Sequence, residues 1–304
     1  MDLTLAEVKS YKFIQIRLYG HAHVHWTETH SSGNNRTEII NYTGNEAYVD
    51  LTAVLWKSEQ TPKGKIGPGS FRFPFQFIIP PNCPSSYHGS IGYIQYYLTG
   101  HIGTGLFKFD RHINAPIQVC KIININKPQL LAPVHQTVHK QVGFLCCASG
   151  NIDLTINLPR SGFCINGDRI PISVAVENGS GRRISMRAEI SKHITYSVKG
   201  NHRYNQSIIA RASSEAILPH SSHTWSPENF IIPAVETSLS TSRMISIKYI
   251  LKVWAVVPYA FNPSVMIPIT LGNVPYQGSS ETAVAAPRID FASFPTTGQI
   301  PIAT

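Results

Sequence analysis

The sequence predicts an all-β protein built as two β-sandwiches in tandem. Three observations carry that prediction. Apolar and polar residues alternate with period two in short runs along the chain. Turn residues separate the runs, drawn from 21 Gly and 21 Pro that are scattered rather than clustered. No segment carries a useful helical stripe, and the strand rhythm breaks once, near the middle.

The first series of strands is expected at LTLAEV (3–8), KFIQIRL (12–18), HAHVHW (21–26), SFRFPFQFIIP (70–80), GYIQYYLTG (92–100) and FKFDRHI (107–113). Pro80, Pro81 and Pro84 stop the fourth, because proline cannot donate to a ladder. Residues 121–150, with Pro128 and Pro133, break the rhythm and are expected to hold the hinge. A second series follows at DLTINL (153–158), IPISVAVEN (170–178), SMRAEISKHITYSV (185–198), HTWSPENFII (223–232) and ISIKYILKVWAVV (245–257). Asn166-Gly167 suits a turn needing positive φ, and Asn178-Gly179 after an alternating strand reads as a hairpin. The polar stretches Thr29–Asn45 and Lys199–Gln206 read as loops. The expected domains are 1–127 and 148–276, and the small-residue segment 277–304 reads as a disordered tail.

Composition narrows the function. The 304 residues suffice for two cores. Net charge is +9, split evenly: 13 Lys/Arg against 8 Asp/Glu in residues 1–145, and 13 against 9 in residues 146–304. That surface suits anionic partners such as lipid headgroups. No stripe of alternating basic and aromatic residues points to nucleic acid. Five cysteines (Cys83, Cys120, Cys146, Cys147 and Cys164) follow no disulfide framework, and no signal-peptide core is present, so an intracellular setting is expected. No run of 18 apolar residues exists to span a membrane as a helix.

The motif GHAHVHWTE (20–28) raises the question of metal. On a strand, His21, His23 and His25 share one face and Ala22, Val24 and Trp26 the other. Zinc accepts imidazoles at this spacing but needs further ligands, and no partner cluster follows in the sequence. The motif therefore reads as an apolar core face with histidines turned to solvent. No cofactor or metal is expected, and a His-dependent metal-binding sandwich stands as a third reading. No Gly-x-Ser-x-Gly elbow, Walker or Rossmann glycine pattern, or paired carboxylates are visible, which excludes the common enzyme classes. The basic residues Lys57, Lys63, Lys65 and Arg72 gather around TPKGKIGPGS, and Arg182, Arg183, Arg187 and Lys192 follow Asn178. Both groups are candidates for phosphate, lipid or acidic-partner contacts. Adjacent Cys146 and Cys147 are candidates for lipidation.

The segments GHAHVHWTE and GSFRFPFQFIIPPNCPSSYHGSIGYIQYYLTGHI resemble the N-terminal half of the arrestin fold, in its α-arrestin branch. SGFCINGDRIPISVAVENGSGRRI resembles the opening of the arrestin C-terminal domain, and IKYILKVWAVV with PITLGNVPY its closing strands. Together they cover about residues 3 to 276. The matching positions are Gly20, Ala22, Val24, Trp26, Phe75, Pro80, Gly92, Tyr93, Gly167 and Asn178. The resemblance implies two immunoglobulin-like sandwiches and a non-catalytic cytoplasmic adaptor, peripheral at the plasma membrane and endosomes. Such an adaptor would bind membrane receptors or transporters as cargo and link them to endocytosis, endosomal sorting or ubiquitination. A retromer-type sorting-coat subunit is the alternative on the same fold.

The sequence departs from the family in three places. About 25 residues that usually precede LTLAEV are missing, so the first sandwich is expected to be N-terminally truncated and marginally stable. No Pro-Pro-x-Tyr motif is present to recruit a HECT-type ubiquitin ligase; Val257-Pro258-Tyr259 and Val274-Pro275-Tyr276 are the nearest approximations. Ser242 stands where the family's thioredoxin-interacting member carries its reactive cysteine, which argues against thioredoxin capture.

Overall fold

A computed structural model describes residues 1–32, 36–61, 64–104, 110–144 and 147–278. Lys63, Cys146 and the tail beyond 278 lie outside the described residues. The chain forms 18 strands, one short α-helix and one 3-10 turn (Ser58–Gln60) among those residues. The first unit contains β1 (Asp2–Leu5), β2 (Lys9–Ser10), β3 (Phe13–Ser32), β4 (Arg36–Lys57), β5 (Lys65–Ile66), β6 (Gly69–Arg72), β7 (Tyr87–His88), β8 (Gly92–Gly103) and β9 (Arg111–Ile117). A linker with α1 (Pro128–Leu131) leads to β10 (Val134–Phe144), β11 (Cys147–Leu158), β12 (Gly162–Cys164), β13 (Ser173–Asn178) and β14 (Ile184–Val198). The chain continues through β15 (Asn201–Ile217), β16 (Ser221–Trp225), β17 (Ile245–Val256) and β18 (Ser264–Gly272). No described helix is long and apolar enough to cross a membrane.

The first unit is built on one sheet, ordered β4-β3-β8-β7 with β9 also paired to β8. Even-numbered residues of β3 face inward: Ile14, Leu18, Ala22, Val24 and Trp26 are buried with Tyr96 and Ile94 of β8. Gly20 belongs to this face, and a Cβ there would stand 2.2 Å from the Tyr96 ring. Gly92 permits close strand approach: a Cβ would lie 2.7 Å from the His23 carbonyl oxygen. Opposite this sheet no second full sheet is described. Cys83 and Val119 from irregular chain close the core instead, and two further ribbons, β1-β6 and β2-β5, are formed. The Tyr96 hydroxyl donates to the Pro84 carbonyl at 2.7 Å and fastens the irregular segment to the sheet.

The second unit is a complete sandwich of a four-stranded sheet, β10-β11-β13-β16, and a five-stranded sheet, β12-β18-β17-β14-β15. Ile152, Leu154 and Ile156 from one and Leu251, Val253 and Ala255 from the other are fully buried. Asn166 and Gly167 both have positive φ, as the turn requires.

Several expectations are corrected. SFRFPFQFIIP is strand only over β6; Phe73 still exchanges hydrogen bonds with Met1 at 2.9 and 3.0 Å, residues 74–80 join no strand, and Pro74 removes a donor. Phe75 and Ile79 are about one-third exposed and Ile78 is 79% exposed. Thr29–Asn45 is not a loop: β3 and β4 pair along it from Thr29↔Ile39 to His23↔Asn45. Lys199–Gln206 is a tight turn and strand; Lys199 and Gly200 have positive φ, the hairpin geometry assigned from sequence to Asn178-Gly179. Asn178 instead ends β13, whose neighbours are β11 and β16, while the chain crosses to the other sheet. Its buried amide donates to the Arg182 and Leu218 carbonyls at 2.8 and 2.9 Å and holds that crossover. Residues 134–144, read as part of the break, form β10. As an edge strand, β10 has one ladder partner and buries mainly Val142, so its pattern is faint.

Candidate functional site

The outer face of the first sheet carries the histidines. His23 Nδ1 lies 2.8 Å from Asn45 Oδ1, and His25 Nδ1 the same distance from Thr43 Oγ1. His21 stacks on Tyr19 at 5.1 Å and meets Tyr93 edge-on at 5.7 Å, while His23 contacts Tyr93 at 5.4 Å. Burial, and then the neighbouring His23, lower the pKa of His21. These rings pack on one another across β3 and β8, which is how a sheet is stabilised through cross-strand pairs. Among the described residues no group of three or more His, Cys, Asp or Glu can hold a metal ion.

The basic candidates are dispersed. Lys57 ends β4 and Lys65 lies in β5, both beside the 11–13 segment that starts β3, through Phe13↔Lys57 pairing and the Tyr11 N–H to Gly64 bond. Arg72 stands on a separate ribbon and pairs with Asp2 at 3.1 Å. Arg182 donates to the Pro258 carbonyl, and Arg183 follows it on the crossover into β14. Arg187 faces outward beside Glu189, Arg211 and Trp254. Lys192 pairs with Glu236 at 3.0 Å. At about 3.3 Å per residue, Arg187 and Lys192 stand roughly 16 Å apart along β14. The four residues are neighbours in sequence and not one site in space.

The linker carries no free thiol cluster that can be described: Cys147 opens β11, and Cys83, Cys120 and Cys164 are unpaired. Burial raises the pKa of Cys83 and of Cys164, which disfavours thiolate at both.

The two units meet through groups that the sequence did not single out. The Glu46 carboxylate lies 2.8 Å from the Tyr48 hydroxyl and accepts from the Arg243 backbone N–H (3.1 Å) and Nε (2.9 Å). Ser242 Oγ accepts the N–H groups of Met244 and Ile245 and lies 2.7 Å from the Tyr48 hydroxyl. Ser242 is therefore a buried bracket of the interface. Nearby, the buried Tyr87 and Tyr196 hydroxyls are 2.9 Å apart, and Gly89 leaves room for both. No local sequence signal could have paired residues almost 200 positions apart.

Between the linker and the outer face of the second five-stranded sheet runs a groove of about 1010 Å³. Lys121, Lys127 and Lys248 line it, with Ile122, Tyr204 and Ile250 supplying apolar surface. The linker wall is fixed: Ile123 N–H donates to Asn273 Oδ1 at 2.8 Å, Asn273 Nδ2 to the Lys121 carbonyl at 3.0 Å, and Asn126 Nδ2 to the Pro275 carbonyl at 2.9 Å.

Comparison with known proteins agrees with this architecture. The family model described as "Arrestin (or S-antigen), N-terminal domain" matches residues 2–126, and that of the C-terminal domain matches residues 148–276. Arrestin domain-containing protein 4 of Homo sapiens is 30% identical over 235 residues, covering 76% of this chain and 56% of that protein. The Mus musculus protein of the same name is 31% identical over 212 residues, covering 69% and 51%. Arrestin domain-containing protein 1 of Rattus norvegicus is 26% identical over 215 residues, covering 70% and 48%. The chain thus spans about half the length of the curated relatives it matches. Two sandwiches in this order, each matched by its own domain family, make this chain a member of the arrestin family, in the α-arrestin branch.

Proposed function

We propose that the chain is a non-catalytic cytoplasmic adaptor that binds membrane receptors or transporters at the plasma membrane and endosomes and hands them to endocytosis or sorting. The observation that carries this reading is the paired match to both arrestin domains. The geometry is compatible with it: extended sheet faces, exposed basic positions and a fixed interdomain joint suit recognition rather than turnover. Lys57, Lys65, Arg72, Arg183 and Arg187 are the proposed contacts to anionic headgroups or acidic partner segments.

Proximity labelling from the tagged chain in cells tests the proposal. Integral membrane proteins are expected to be enriched over soluble ones, and equal labelling of both classes overturns it. Linkage to ubiquitination has a separate test, a pull-down with tandem WW domains of a HECT-type ligase. Tyr259 of Val257-Pro258-Tyr259 is 99% exposed, whereas Tyr276 of Val274-Pro275-Tyr276 lies under the Arg160 guanidinium at 4.2 Å. Neither segment supplies the Pro-Pro-x-Tyr spacing, so no capture is expected, and capture would place the ligase on this chain.

A further inference from the structure

The groove along the linker carries charge of one sign. Among the described residues no Asp, Glu or Arg lines it, while three lysines do. Glu236, whose backbone carbonyl accepts the Tyr249 hydroxyl beside the groove, is already paired with Lys192. Ile122 is 76% exposed and Tyr204 71% exposed, unusual values for large apolar side chains that face a shared hollow. Lys121 Nζ donates to the Pro81 carbonyl at 3.1 Å, and an ammonium has two further donors for a partner.

We propose that this groove binds an extended acidic peptide, whose carboxylates meet Lys121, Lys127 and Lys248 while one apolar side chain packs on Ile122, Tyr204 and Ile250. The inference rests on the adaptor reading for its biological setting and on the groove alone for its chemistry. Three features select this occupant. Three lysines with no acid among the residues lining the groove favour a partner of opposite charge. Lysine is a compact point charge, and the three stand on the linker and on β17 rather than in one cluster, so single acids spaced along an extended chain suit them. The groove runs between the linker and the sheet, a shape that admits one extended chain along its length. The wall is held by Asn273 and Asn126, so binding orders little of the protein.

The test uses the full chain and a fluorescein-labelled nine-residue peptide, Glu-Asp-Glu-Tyr-Leu-Glu-Asp-Glu-Glu, followed by anisotropy. A second peptide replaces every acid by its amide, and vesicles of phosphatidylserine and phosphatidylcholine form a third arm. The acidic peptide is expected to bind, with affinity falling as salt rises. Lys127→Glu with Lys248→Glu should weaken it by about tenfold or more, and the amide peptide should be weaker by a similar factor. Tyr204→Ala should weaken both peptides equally. Lys12→Glu with Arg111→Glu, two exposed positions on the first unit to which no contact is assigned, should stay within about twofold of the parent.

Equal loss in the two charge-reversal pairs overturns the assignment, because attraction would then be generic. Unchanged binding in the groove pair overturns it as well. Vesicle binding lost in the groove pair, with no peptide binding, would assign the surface to lipid instead. If peptide binding fails while membrane proteins are still labelled in cells, only the groove assignment falls. If the peptide binds and no membrane protein is labelled, the adaptor reading falls and the groove stands.

Discussion

The two sandwiches differ in what lies opposite their main sheet. In the second, each sheet faces the other, and Phe163, Leu251 and Ile156 are fully buried between them. In the first, the β4-β3-β8-β7 sheet faces irregular chain around Cys83 and Val119. The apolar segment at 73–80, which alternates from Phe73 to Phe77, is paired only at Phe73 and leaves Ile78 in solvent. Alternation assigns side chains to faces. It does not supply the neighbour that turns an extended segment into a strand or the layer that buries its face.

The largest test of that contrast is truncation. Phe163→Ala should destabilise by about 3–5 kcal/mol in urea unfolding, and Ile78→Ala by no more than about 0.5 kcal/mol. Similar costs would mean that the first unit has a second layer, and the contrast would break. Next comes a matched pair of ion pairs. Asp168 accepts two bonds from Arg160 at 3.0 Å, half-buried in the second unit, whereas Arg17 grips Asp50 with two bonds of 2.6 Å on the exposed first sheet. Asp168→Ala should cost about 2–3 kcal/mol and Asp50→Ala at most about 1 kcal/mol, since water screens the exposed pair.

The joint between the units supplies the third test. Burial tends to raise the pKa of Glu46, but its bonds from Tyr48 and Arg243 outweigh this and leave it below its ordinary 4.5. A carboxylate with a lowered folded pKa stabilises above its unfolded value and loses that contribution as pH falls through the folded one. Glu46→Gln should therefore cost about 1–2 kcal/mol at pH 7. Chemical unfolding at about pH 3 should show most of that gap gone. A gap that persists in acid would show that Glu46 acts through its shape and not its charge. The smallest effect is expected at Tyr87 and Tyr196. A double-mutant cycle with both changed to Phe should give a coupling of about 0.5–1.5 kcal/mol, and a coupling near zero would remove this pair from the joint.

Legibility followed burial. Ala22, Val24 and Trp26 were assigned to the core from their spacing alone because a central strand packs one full face. Lys199–Gln206, which opens β15, reads as a loop because an edge strand facing water has no reason to alternate, and residues 201–208 are exposed. Asn178-Gly179 misled for a different reason. The dipeptide permits a tight hairpin, but Asn178 spends its amide on Arg182 and Leu218, contacts that exist only after the sheets stack. The groove was invisible because Lys121 and Lys248 stand on different elements, and Arg182 to Lys192 looked like a cluster until β14 drew them out in a line.

By itself the sequence determined the class of structure, the inward face of β3, the turn at Asn166-Gly167 and the family to which the chain belongs. Those properties depend on local geometry: a period of two, a φ without Cβ penalty, a proline that cannot donate. Only the tertiary structure decided which strands found partners, that Ser242 and Glu46 lock the two units together, and that three distant lysines share one hollow. Those properties depend on contacts across 100 residues or more, and such contacts are set by how the layers pack rather than by any stretch of the chain.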